Sequence, residues 1–132
     1  MIGDEMNVDY IQLGKAVEIM ATLPDQSLDA VITDPPYGQT DLWWDVRPDL
    51  PELWEQLKRV IKPNGAIVMT SIQPFTAMLI CSNLDMFRHE WVWDKSVPTG
   101  WLNANRMPLR VHENITVFSV QQVNYYPQMG TN

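Results

Sequence analysis

The passage "LDAVITDPPYG", residues 28–38, constrains this chain more than any other, because an apolar run halts there at an acid and two prolines. Proline has no N–H to give to a sheet ladder and locks its own φ, so no strand continues through Pro35 and Pro36. The run Leu28–Thr33 lacks strict apolar/polar alternation and predicts a strand buried on both faces of a parallel sheet. Such a strand delivers Asp34 to its carboxyl end, with a stiff turn and the Tyr37 ring directly after it.

The flanking sequence supplies the partners that a buried strand needs. "VDYIQL" (8–13) reads as a short strand and "KAVEIMATL" (15–23) as a helix with Val17, Met20 and Ala21 on one face. "LPDQS" is a turn. After a loop from Asp34 to Pro48, Asp49 is the expected N-cap of "LPELWEQLKRVI", with Pro51 early and Glu52 three residues on. Leu50, Leu53, Trp54, Leu57, Val60 and Ile61 keep helical spacing, and Lys58, Arg59 and Lys62 suit its carboxyl end. "KPNG" (62–65) then predicts a turn into the buried strand "AIVMTSI". A helix near 74–84, with Cys81 as a small core residue, precedes the strand "FRHEWVWDK", a long loop over 96–113 and a last strand "NITVFSV". This order predicts one α/β domain over 1–132, a doubly wound and mostly parallel sheet with ligands at the strands' carboxyl ends.

Composition narrows the function classes. A length of 132 residues with 45% apolar side chains suits one globular domain. The net charge of −7 opposes non-specific attraction to phosphates, so any contact with nucleic acid needs a local basic strip. The stretch from Lys95 to Glu113 offers one, holding Lys95, Arg106 and Arg110 beside Trp101, Asn103 and Asn105; the alternative is an ordinary solvated loop. Trp43, Trp44, Trp54 and Trp101 are either packing anchors or stacking surfaces. The single cysteine forms no internal disulfide, and with no apolar run of about 18 residues and no basic n-region the expected location is cytoplasmic. His89, His112 and Cys81 lack the spacing of metal ligands.

The Asp-Pro-Pro-Tyr segment suits one chemistry especially well. An exocyclic amine on a nucleobase is a poor nucleophile because its lone pair is delocalised into the ring. Two acceptors that grip both N–H groups return density to nitrogen. The Asp34 carboxylate provides one, and a backbone carbonyl of the double-proline turn, expected to be that of Pro35, provides the other in a fixed position. Tyr37 can stack on the base. A methyl sulfonium approached in line then leaves positioning as the main source of rate.

The segment resembles the amino-group DNA methyltransferases and their (D/N/S)PP(Y/F/W) signature. The runs "LPDQSLDAVITDPPYG", "LWEQLKRVIKPNGAIV", "WVWDK" and "HENITVF" look like the subgroup whose catalytic block precedes its cofactor block. The resemblance implies a Rossmann-like methyltransferase fold, S-adenosylmethionine as cofactor, and Asp34, Pro35, Pro36 and Tyr37 as the catalytic loop. It also implies an adenine flipped out of double-stranded DNA and methylated at N6, with N4 of cytosine as the related target. Asp34, Pro35, Gly14 and Lys15 would face the cofactor, although the family shows Gly-Asp where this chain has Gly14-Lys15. Lys95, Trp101, Asn103, Arg106 and Arg110 would face the DNA. The glycine-rich FxGxG segment of such enzymes is not found in these 132 residues. The expected fold is therefore incomplete, paired as a homodimer or with a complementing cofactor-binding chain. The alternative is a catalytically inactive module of the same fold.

Overall fold

The computed structural model describes residues 11–130. Its elements are α1 (Ala16–Ala21), β1 (Leu28–Thr33), α2 (Leu50–Val60), β2 (Ile61–Ser71), α3 (Phe75–Ser82), β3 (Phe87–Thr99), a 3-10 turn (Trp101–Asn103) and β4 (Arg110–Phe118). The four strands form one sheet in the order β1-β2-β4-β3. β1 and β2 are parallel, while β4 runs antiparallel to both β2 and β3. The last strand thus inserts between its predecessors, and the α/β sheet is mixed.

Helices cover one face. On β2, Ile67, Met69 and Ser71 are fully buried while Val68 and Thr70 alternate with them on the half-buried side. Leu53, Trp54, Leu57 and Val60 of α2 and Phe75 and Leu79 of α3 close over the buried side. Phe118 joins the layers, with the Trp54 ring 4.8 Å and the Phe87 ring 5.7 Å away. Each fully buried side chain of this size contributes about 1.5–3 kcal/mol. α2 starts as expected, the Asp49 carboxylate accepting the Glu52 N–H at 2.9 Å.

Several expectations are corrected. Of the predicted strand 8–13, residues 8–10 lie outside the described residues, and 11–13 form no strand, with Ile11 and Leu13 fully exposed. β1 is not buried on both faces: it is an edge strand among the described residues, and Ile32 is 81% exposed. "KPNG" does not separate helix from strand. β2 begins at Ile61, which pairs with Leu28, and the next pair is Ala30 with Ala66, so residues 62–65 form a wide bulge inside the ladder. Gly65 lies so close to β1 that a Cβ would sit 2.8 Å from the Asp29 carbonyl oxygen.

The stretch 96–113 is only partly loop: β3 runs to Thr99 and β4 starts at Arg110, which leaves residues 100–109 as the hairpin's end. Cys81 is exposed on α3 and not in the core. Arg59 does more than complement a dipole, since its guanidinium bonds the carbonyls of Met20 and Leu23 and the Asp25 carboxylate, tying α2 to the end of α1. Lys62 pairs with Asp29 at 2.6 Å.

Candidate functional site

The parallel register of β1 and β2 builds the site. Thr33 faces Met69 across the ladder, so the next residues, Asp34 and Thr70, emerge side by side at the carboxyl edge. The Thr70 hydroxyl donates to Oδ1 of Asp34, and the Tyr37 hydroxyl lies 2.7 Å from the same oxygen and 2.9 Å from the Thr70 Oγ1. Each hydroxyl has one proton, so Thr70 gives its own to the carboxylate and Tyr37 closes the triangle. Among the described residues no donor reaches Oδ2, and Asp34 is exposed. One carboxylate oxygen is held; the other is offered to whatever enters.

Tyr37 occupies a position that the sequence did not reveal. Its ring packs against Phe75 at the start of α3, centroids 5.8 Å apart. Its phenol is pushed well above the ordinary range, first by burial and further by the neighbouring Asp34 carboxylate, against the opposing hydrogen bond with Thr70. It is therefore a neutral donor at physiological pH. The expected stacking ring is also an anchor for the carboxylate.

A cleft of about 390 Å3 opens beside Asp34, lined by Pro35, Pro36, Tyr37, Gln39, Thr40, Trp44, Asp45 and Ile72. That volume falls within the range of small-molecule sites. Larger hollows lie at the amino end of β2 around Lys62–Gly65, about 800 Å3, and beneath Gln122–Tyr125 on the sheet, about 520 Å3. In the first, Lys62 is already paired with Asp29. In the second, the Arg88 guanidinium is spent on the carbonyls of Ser119 and Val120. Neither offers a carboxylate with one oxygen held by two hydroxyls and the other left unengaged.

The loop after Tyr37 wraps around Asp45, which is only 8% exposed. Its Oδ1 accepts the Gly38 N–H at 2.8 Å, and Oδ2 accepts the N–H groups of Gln39 and Thr40 and the Thr40 hydroxyl at 2.7–2.8 Å. These bonds, the Thr40 hydroxyl first, pull the Asp45 carboxyl down to about 2 despite its burial. Trp43 and Trp44, immediately before it, project into solvent at 88% and 56% exposure.

The other predicted residues are not gathered here. Gly14 and Lys15 do not line the cleft, and Lys15 pairs with Glu18 at 3.2 Å on the first turn of α1. Trp101, Asn103 and Arg106 sit exposed at the end of the β3–β4 hairpin. Lys95, further down the hairpin, is paired with Glu113 at 2.6 Å and lies over the Trp93 ring, and Arg110 reaches the Gln73 carbonyl. Of the four tryptophans weighed, Trp54 alone is a buried anchor, its indole N–H donating to Ser82. Thr70, Phe75 and Asp45 were missed. Only Asp45 left a signal in the sequence, an acid a few residues after a tight turn, and that pattern is too common to single it out.

No protein-family model matches the chain. The type II methyltransferase M.BglII of Bacillus subtilis is 32% identical over 133 residues, an alignment that covers 87% of this chain and 36% of that protein. This chain is homologous to part of a type II methyltransferase. Solved structures agree on the fold. The cytosine-N4-specific PvuII DNA methyltransferase superposes with a TM-score of 0.63 at 14% identity, covering 84% of this chain and 49% of that one. The M1.HpyAVI–SAM complex gives 0.58 at 18% identity, covering 88% and 58%. TTHA0409 of Thermus thermophilus, complexed with S-adenosyl-L-methionine, gives 0.59 at 23% identity, covering 89% and 57%. The chain thus spans about a third of the curated relative and about half of each of these structures, and its architecture is the Rossmann-like methyltransferase fold.

Proposed function

We propose that this chain carries the catalytic loop of an S-adenosylmethionine-dependent DNA methyltransferase that acts on the N6 amino group of adenine. The observation that supports this most is the Asp34 carboxylate, held at one oxygen by Tyr37 and Thr70 and left unengaged at the other, at the mouth of a cleft of about 390 Å3. Homology to a type II methyltransferase and the fold of the solved structures point the same way.

In this reading Oδ2 of Asp34 accepts one N–H of the amine and the carbonyl of Pro35, which lines the same cleft, accepts the other. Gripped so, the nitrogen regains its lone pair for attack. Oδ1 stays tied to its two hydroxyls, so the carboxylate does not reorganise as charge develops on the amine. Trp44 and the exposed edge of Tyr37 bound the slot in which a flipped base would stack. The amine proton leaves after nitrogen has become cationic, so no strong base is needed.

The described residues fit the target base better than the cofactor. The polar groups of the cleft are Asp34, Tyr37, Gln39, Thr40 and an Asp45 bonded at both oxygens, and Gly14 and Lys15 lie outside it. Methyl donation is the chemistry that S-adenosylmethionine supplies when bound; residues to hold its methionine end are not among those of the cleft. Lys95, Trp101, Asn103, Arg106 and Arg110 are assigned to the DNA side, with Trp101, Asn103 and Arg106 as the members free at the hairpin end.

The test is nucleoside analysis after incubation with labelled S-adenosylmethionine and an unmethylated duplex. With a complementing cofactor-binding chain supplied, N6-methyladenine is expected from the wild-type chain and none from Asp34→Ala at an unchanged melting temperature; the chain alone is expected to turn over little or nothing. N4-methylcytosine instead would move the target to cytosine. No labelled base, together with no binding of the cofactor, would favour an inert module of the same fold.

A further inference from the structure

We infer that Asp45 is a positioning residue for the Asp34–Tyr37 loop, its buried carboxylate holding the backbone of Gly38, Gln39 and Thr40 so that the cleft keeps its rim. The inference rests on the function proposed above, because the loop being held is the one assigned to the amine.

The geometry is that of an anion in a nest. A carboxylate is acceptor-only, and here four donors converge on it at 2.7–2.8 Å, one on Oδ1 and three on Oδ2. Gly38 has φ +64, a left-handed conformation that turns its N–H and those of the next two residues into one concavity. A β-carbon at Gly38 would lie 2.7 Å from Cγ of Arg47, so the position is closed to other residues on two counts.

The peptide between Tyr37 and Gly38 is gripped at both ends. Its N–H goes to Asp45, and its carbonyl accepts from Nε of Arg47 at 3.2 Å. Arg47 in turn reaches Met78 of α3, so the loop is fixed to the helical layer as well as to itself. That peptide directly follows the tyrosine whose hydroxyl holds Asp34, and the residue before Asp45 is Trp44, a wall of the cleft. One buried carboxylate therefore sets the placement of two cleft walls without lending its charge to anything that enters. The low pKa of Asp45 agrees with a permanently ionised acceptor.

Amide hydrogen exchange on the wild-type chain is the first test: the amides of Gly38, Gln39 and Thr40 are expected to be protected although Gln39 and Thr40 lie at the surface. Exchange at the rate of an unstructured peptide would overturn the inference without any variant. In Asp45→Asn, which turns one acceptor oxygen into an NH2 donor, the amides facing that group should lose protection, and in Thr40→Val, which removes only the hydroxyl donor, all three should keep most of it. Methyl transfer gives the second readout. Misplacement of a catalytic loop by about 1 Å costs on the order of 100-fold, so kcat should fall between about 10- and 100-fold in Asp45→Asn with KM for the cofactor unchanged. Unaltered kcat in a variant that has lost the protection would overturn the positioning role. A wild-type chain that transfers no methyl group even with a complementing cofactor-binding chain would count against the proposed function alone, and the exchange result would still decide whether Asp45 holds the loop.

Discussion

At the residue scale the site turns on a single oxygen. Asp34 is exposed, yet its carboxylate is not free to turn, because Thr70 and Tyr37 converge on Oδ1. Hydrogen bonds to a charged group contribute about 1.5–3 kcal/mol, and at so exposed a site the lower end applies. Tyr37→Phe keeps the ring on Phe75 and removes the hydroxyl; Thr70→Val keeps the shape and removes the donor. Each should lower kcat about tenfold, with little change in melting temperature, and the double variant should lose less than the product of the two. Equal kcat in all three proteins would show that Oδ1 needs no anchor. The Tyr37 phenol also makes a pH prediction. Its raised pKa means that the folded state holds the proton more tightly than the unfolded chain, so this stability is intact below about pH 10 and is lost as pH climbs through the folded value. Tyr37→Phe should flatten the alkaline limb of the stability curve measured by denaturant titration.

At the element scale, local chemistry decided what could be foreseen. The strand end at Thr33 and the cap at Asp49 were legible because proline and a capping carboxylate act within a few residues of themselves. Asp49→Ala should cost about 1 kcal/mol, read by chemical denaturation. The bulge at 62–65 was not legible: "KPNG" is turn chemistry, and only the pairing of Ile61 with Leu28 draws it into the ladder. Gly65→Ala forces a β-carbon onto the Asp29 carbonyl and the Ile61 side chain and should destabilise by about 1–3 kcal/mol. A neutral substitution would mean that β1 and β2 do not approach as described. The loop around Asp45 was also invisible, since its partners are backbone amides that carry no residue code. Its acid dependence follows from the lowered pKa. The folded state binds fewer protons than the unfolded chain, so the contribution is complete above about pH 4 and fades as pH falls toward 2. Exchange of the amides at 38–40 should accelerate in that window, and in Asp45→Asn it should be independent of pH there once intrinsic rates are divided out.

At the scale of the whole molecule, the sheet order explains both what the sequence concealed and how the chain should behave in solution. Alternating strands and helices suggest a parallel sheet, but the pairing of β4 between β2 and β3 depends on contacts far apart in the chain. The order leaves β1 at an edge among the described residues, with Ile32 81% exposed, and the hairpin at the opposite edge carries half-exposed Trp91 and Trp93. Unpaired edges and apolar faces favour association. Light scattering at tens of micromolar protein should therefore give a mass above the 15.3 kDa of one chain, and Ile32→Lys should shift it toward the monomer. A wild-type monomer at that concentration would contradict this. The active-loop reading is independent of assembly, and the most direct check on it is a structure of the chain bound to an oligonucleotide with an extruded adenine. N6 is expected within about 2.7–3.2 Å of both Oδ2 of Asp34 and the Pro35 carbonyl oxygen; a base seated elsewhere, or an amine that touches neither oxygen, would contradict the role given to Asp34.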